Sequence, residues 1–324
     1  MTQSYQKTVA YGLLGWCAVN LAAIALAPHG APFDWPGQHR PPSGPTQVLD
    51  AHLVLAEVTV LALLAWLLTR RSAPALPART PAARTEVLGL LGYGLMVQLL
   101  GAALGVTLGW HPISFHLAGS VVGTHDAVSP TEAWVWAGYN CVAYAVIPLV
   151  WFRRRYSARS LWLRSQNRRR DARVIVVVLA VEATIQLLVL GAAIVKLDGS
   201  QLLLGMPLTF LLYLLGTGLP TLVFVQAILV PRYAQLTGST PATVLLGGLT
   251  YAALHAGDAW TMFGSVREVA TSLVFVLLLY AVPGMFKTFL TLRTGNAWVH
   301  LWAYHAIAPH TLLDTPLVVR IFRL

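Results

Sequence analysis

His255 and His305 both sit inside apolar runs, and Glu182 stands in the middle of a Val/Leu/Ile stretch. Imidazole and carboxyl groups are the usual proton carriers of catalysis, so these three are candidate acid–base residues. A titratable group at membrane depth is costly and therefore faces a protein-lined or wet cavity rather than lipid. Tyr251 precedes His255 by four residues and shares its helical face, while Asp258 follows by three and is placed to orient the ring. Glu182 likewise shares a face with Gln186. Of the other acids near apolar runs, Glu57 is read as structural, and Glu268 lies at a run's edge.

Metal chemistry is the next possibility. His300, His305 and His310 recur every five residues, which on an α-helix turns successive rings about 140° apart, so one regular helix cannot gather them round an ion. A site made from His255, His305 and one carboxylate from another helix would suit zinc. No HExxH, CxxC or EF-hand pattern is present, and Cys17 and Cys141 stand alone inside apolar runs, so no resident cofactor is expected.

The elements that must position these groups are membrane helices. Hydrophobic residues form 56% of the 324-residue chain and only 10% are charged, with a mean hydropathy of +0.65; soluble domains average about 25% charged residues. A net charge of +10 would suggest nucleic acid if the basic residues shared a soluble face, but they are dispersed between apolar runs, so no nucleic-acid partner is expected. A helical span needs roughly 20 mostly apolar residues. Nine windows approach that length: 8–27, 50–69, 86–109, 131–152, 174–196, 202–230, 241–257, 268–286 and 296–310. The seventh and ninth are short and carry His, Gly and Thr, so they are expected to be shielded by their neighbours.

Orientation follows from the Lys/Arg bias. With a cytoplasmic N-terminus, 17 of the 22 basic residues fall inside, Lys287 among them, and Arg40, Lys196, Arg267, Arg320 and Arg323 fall outside. Nine spans leave the C-terminus outside; eight would return it. Residues 8–27 are read as an uncleaved first helix, because Pro28 directly follows Ala25-Leu26-Ala27. The chain thus divides into four N-terminal transmembrane helices (1–152), an Arg-rich cytoplasmic loop (153–173), a transmembrane core (174–310) and a tail (311–324). The proline-rich stretch 28–49 and the Lys/Arg-free stretch 110–130 are read as external loops. The Arg run is read mainly as an orientation determinant, and the Trp residues as interfacial anchors.

In the back half, Tyr251-Ala252-Ala253-Leu254-His255 is followed by Thr294-Gly295 and then His305. This order resembles the CPBP family, the CAAX prenyl proteases and bacteriocin-processing proteins also called Abi. That family carries Glu-Glu-x-x-x-Arg on one helix, an aromatic-x-x-x-His on the next, and a Thr-Gly turn leading to His-x-x-x-Asn/Asp. The resemblance covers roughly residues 150–310 and implies an all-α polytopic bundle of 8–9 spans with a CPBP-like core. It includes the basic Leu161-Trp162-Leu163-Arg164 loop ahead of that core. Set on the same register, Pro220 and Thr221 replace the paired glutamates, Val225 the arginine and Pro309 the final Asn/Asp.

Since that family uses a glutamate to activate water, its standard proteolysis is expected to be lost or repurposed here. Tyr251, Thr217, Thr221, Gln226, Asp258 and Tyr304 are expected to line a neutral polar cavity with His255 and His305, holding a hydrophobic peptide or lipid-like ligand. That is a pseudoenzyme, of a binding, assembly or bacteriocin-immunity kind. The alternative is an active enzyme using His255, His305 and Glu182 on a peptide or apolar metabolite. A transporter is the third reading.

Overall fold

The computed structural model describes residues 3–30, 43–120 and 128–324; parts of both predicted external loops, with Arg40, lie outside these. Among the described residues the chain is an all-α bundle with no strand. Seven helices are long and apolar enough to cross a membrane: α1 (Gln6–Leu26 of a helix starting at Gln3), α2 (Gly44–Thr69), α3 (Ala82–Thr107), α4 (Pro130–Arg153), α5 (Arg168–Leu190), α6 (Gly199–Thr237) and α8 (Val266–Thr294). Between the last two lies the 15-residue α7 (Thr240–Leu254), and 298–322 form α9.

Helix starts follow side-chain chemistry. Ser43, Ser129, Asn167, Asp198, Ser239 and Ser265 each accept a hydrogen bond from a backbone N–H of the first turn. Residues 44–49, read with the proline-rich loop, are helical because Pro45 falls in the first turn of α2, where a missing N–H costs nothing. The stretch 311–324, read as a tail, continues α9 to Phe322.

Burial sorts the helices. Only 6% of the apolar window of α1 is buried, against 67% for α6 and 61% for α8, so α6 and α8 form the centre and α1 belongs to the outer ring. Leu13, Leu95, Leu99 and Leu188 point outward from α1, α3 and α5, as lipid-facing side chains do. Small residues let the inner helices close. A Cβ on Gly247 would meet Thr288 at 2.1 Å, and one on Gly284 would meet Tyr251 at 2.6 Å, so α7 and α8 run antiparallel in near-backbone contact.

Several helices are wound more widely than α, each N–H bonding five residues back: 141–146 in α4, 214–218 and 221–229 in α6, and 301–312 in α9. Such turns are rare and cluster at functional sites.

The Thr294–Gly295 turn between α8 and α9 is gripped by the first turn of α5 and the end of the basic loop before it. Gly295 adopts φ +60°, the left-handed conformation that a helix C-terminus favours in glycine. Asn296 Nδ2 donates to Asp171 Oδ2 at 2.9 Å, Ser165 Oγ to the same oxygen at 2.6 Å, and Arg170 Nε to Oδ1 at 2.9 Å. Arg170 also donates to the Thr294 carbonyl, and it is buried while the other arginines of 153–173 are exposed. It therefore fastens the turn as well as contributing to the charge bias. Asp171→Ala leaves that guanidinium buried without its carboxylate; the expected loss is about 3–5 kcal/mol, read as a lowered Tm of the detergent-purified protein.

Candidate functional site

The site lies halfway along the bundle. His255 caps the C-terminal end of α7 and its ring stacks on Tyr280, 3.9 Å between centroids, at the midpoint of the 29-residue α8. Asp258 Oδ2 accepts from His255 Nδ1 at 3.0 Å. The third member is His116, whose backbone N–H donates to Asp258 Oδ1 at 3.2 Å and whose ring centroid lies 4.2 Å from that of His255. All three are buried, at 0% exposure for His255, 2% for Asp258 and 6% for His116.

The position of His116 corrects the sequence reading of 110–130 as an external loop. Residues 113–118 are buried, threading between α3, α4 and the end of α7. Non-helical backbone inside a membrane bundle needs protein partners for its polar groups, and here it has them. The Ile113 N–H bonds the Gly101 carbonyl at 3.2 Å. The Ser114 carbonyl accepts from Trp136 Nε1 at 3.0 Å and Asn140 Nδ2 at 2.9 Å. His111 is held through its backbone and ring by Glu132, at 2.9 and 2.7 Å. Ser120 Oγ donates to Asp314 at 3.2 Å.

A second set of imidazoles comes from α9. His310 Nδ1 donates to Asp314 Oδ2 at 2.9 Å, and its ring stacks on Tyr213. Ring centroids are 6.0 Å apart for His300 and His305, 5.0 Å for His305 and His310, and 5.3 Å for His310 and His116. The five-residue spacing that scatters rings on an α-helix gathers them here, because 301–312 bond five residues back and so bring residues five apart onto neighbouring positions of one face.

His116, His305 and His310 line a cavity of about 100 Å³ together with Tyr251, Tyr280, Tyr304, Gln186 and Lys287. Tyr251 Oη lies 3.4 Å from His305 Nε2. Lys287 was counted among the cytoplasmic charges; it is instead buried in α8, its ammonium 3.6 Å from the Tyr251 ring centroid. Such a cation–π contact offsets part of the cost of burying the charge.

The remaining predicted residues divide. Tyr251, Tyr304 and His305 line the cavity, whereas His255 and Asp258 stand behind His116 and Tyr280. Glu182 is fully buried but is not in the cavity wall; it reaches the wall through Gln186, whose Nε2 donates to Glu182 at 3.2 Å and to Glu57 at 3.2 Å. Glu57, read as structural, is thus part of a carboxyl pair bridged by a cavity residue. Thr217, Thr221 and Gln226 are fully buried on α6 but lie outside the cavity's lining, and their side-chain polar atoms have no partner among the described residues.

His116, Asp314 and Lys287 are the residues the sequence reading missed, and His310 was weighed there only as a metal ligand and set aside on α-helical geometry. Their signal was present but weak: His116 falls in a stretch free of Lys and Arg, and Lys287 directly follows an apolar window.

In chemical terms, each Asp-bound imidazole has one nitrogen fixed by a carboxylate, which leaves the other to exchange a proton or bind a ligand. No family model matches the chain, and no curated protein or solved structure matches it.

Proposed function

We propose that this is a CPBP-like, multi-pass membrane protein in which histidine–aspartate pairs have taken over from the glutamates of the CAAX-type proteases. It binds the polar end of a hydrophobic peptide or lipid-like molecule in the central cavity and transforms it there by acid–base chemistry. The observation that carries this reading is the convergence of His116, His305, His310 and Lys287 on one cavity of about 100 Å³ inside an apolar bundle. That volume accommodates a reacting group rather than a whole lipid, so the apolar body of the ligand lies between helices.

Within this reading His310, oriented by Asp314, is the proton carrier, and His305 with the Tyr251 hydroxyl positions the reacting oxygen. Pure binding with chemistry lost is disfavoured by that arrangement: a passive apolar-ligand pocket gains nothing from carboxylate-oriented imidazoles, whose burial is costly. The N-terminus is placed in the cytoplasm on the arginine bias, which persists once Lys287 is removed from the inside count.

The test uses the purified chain in detergent with a panel of prenylated and acylated peptides and lipid esters, products followed by mass spectrometry. The expected result is turnover of at least one class, falling by roughly 100-fold or more in the folded fraction of His310→Ala and of His305→Ala, with a lowered Tm from the lost packing of these buried rings. No turnover of any class, or full turnover in both variants, overturns the enzymatic reading.

A further inference from the structure

The geometry points to a divalent transition-metal site, zinc by ligand chemistry, formed by His116, His255 and Asp258. This goes beyond the acid–base reading, since it involves neither His305 nor His310.

The three residues offer one ligand atom each, all within 4.8 Å of one another. Asp258 Oδ2 is 3.0 Å from His255 Nδ1 and 3.7 Å from His116 Nδ1. A tetrahedral zinc ion with bonds of about 2.0–2.1 Å holds its ligand atoms about 3.3 Å apart, so the two carboxylate–imidazole distances bracket the required spacing. Two imidazoles and one carboxylate leave a fourth position open, which is the composition of catalytic rather than structural zinc sites.

An independent observation concerns the rings. Nε2 of His116 and Nε2 of His255 are buried without a partner among the described residues. At the other nitrogen of His116 stand the Tyr280 hydroxyl at 3.5 Å and the Asp258 carboxylate at 3.7 Å, at or beyond the limit of a good hydrogen bond. Neither nitrogen of His116 therefore has a strong partner, an uncompensated cost for a buried imidazole, and coordination of a cation through Nδ1 would supply one.

The backbone explains how the ligands are presented. Asp258 and His255 are held three residues apart by the turn after α7, where the Asp258 N–H bonds the His255 carbonyl at 3.2 Å. His116 is carried in by the buried 113–118 segment. It is also a wall of the cavity, and since His255 and Asp258 stand behind that wall, an ion held by the three would lie next to the cavity, on the far side of the His116 ring.

The experiment is a metal titration of the tag-free, chelator-treated chain in detergent, with Zn²⁺ followed by elemental analysis and Co²⁺ by its visible absorption. Expected are one equivalent of tightly held ion, a low-symmetry Co²⁺ spectrum, and a Tm raised by saturating Zn²⁺. His116→Ala and Asp258→Asn should each weaken binding by roughly 100-fold or more, whereas His300→Ala, equally buried but outside the set, should keep it. Should His116→Ala fail to fold, Asp258→Asn and the zinc-dependent Tm of the unaltered chain decide the matter. Absence of a stoichiometric ion, or binding undiminished in both ligand variants, overturns the site. In that event turnover lost in His310→Ala still stands by itself, so the two readings fail separately.

Discussion

Asp258→Ala is expected to destabilise the protein by about 3–5 kcal/mol and to abolish turnover, the largest effect of any single substitution at the site. The carboxylate accepts from the His255 ring at 3.0 Å and from the His116 backbone at 3.2 Å, and it is 2% exposed. Truncation leaves both buried groups without this acceptor, and each stranded donor costs about 1–3 kcal/mol. It also releases the charged-group link that ties the 113–118 segment to the end of α7. Asp258→Asn keeps the shape and one acceptor oxygen, so its stability loss should be the smaller, while turnover still falls. Thermal unfolding in detergent, measured beside turnover, separates the two. Equal Tm for Asp258→Ala and the unaltered chain would show that this carboxylate holds nothing together.

Gly216→Ala is expected to act at a distance. A Cβ at this position of α6 would lie 2.1 Å from Trp136 Cη2 and 2.2 Å from its Cζ3, and the indole is itself 2% exposed, so the ring must move. Overpacking of this kind typically costs about 1–3 kcal/mol. The functional cost should be larger than the stability cost, because Trp136 Nε1 holds the Ser114 carbonyl at 3.0 Å and His116 follows two residues later. A displacement of about 1 Å at a reacting group lowers rates by roughly 100-fold. Restoring room with Gly216→Ala/Trp136→Phe should recover stability more than activity, since phenylalanine fills less space but donates no hydrogen bond. A single variant that turns over normally would break the proposed link from α6 through Trp136 to His116.

Most of the architecture was readable from residues alone. Apolar windows located the long helices because the bilayer fixes their length. The pairing of Tyr251 with His255 was legible for the same reason, a four-residue spacing on an ordinary helix.

What escaped was set by packing rather than by pattern. Ser114 and His116 lack helical periodicity and read as solvent-facing; only partners such as Trp136, Asn140 and Asp258, distant in sequence, make their burial tolerable. Lys287 looked cytoplasmic because hydropathy places a charge at the nearest interface, whereas the face of Tyr251 supplies it a place inside. Glu57 and Glu182 are separated by 125 positions; the four-residue spacing showed Gln186 beside Glu182, but nothing in either segment announces that Gln186 also reaches Glu57.

The winding of 301–312 bears on how this chain should be aligned with others. A turn that bonds five residues back holds one residue more than an α turn, so one residue can be lost there by tightening a turn instead of shifting either end of the helix. Loss of a residue between His305 and His310 leaves two histidines four apart, which on α winding again share a face. A relative could therefore carry the same pair of rings with a one-residue gap in this segment. Fixed-spacing patterns would pass over it, and a search for such relatives has to let the histidine interval vary.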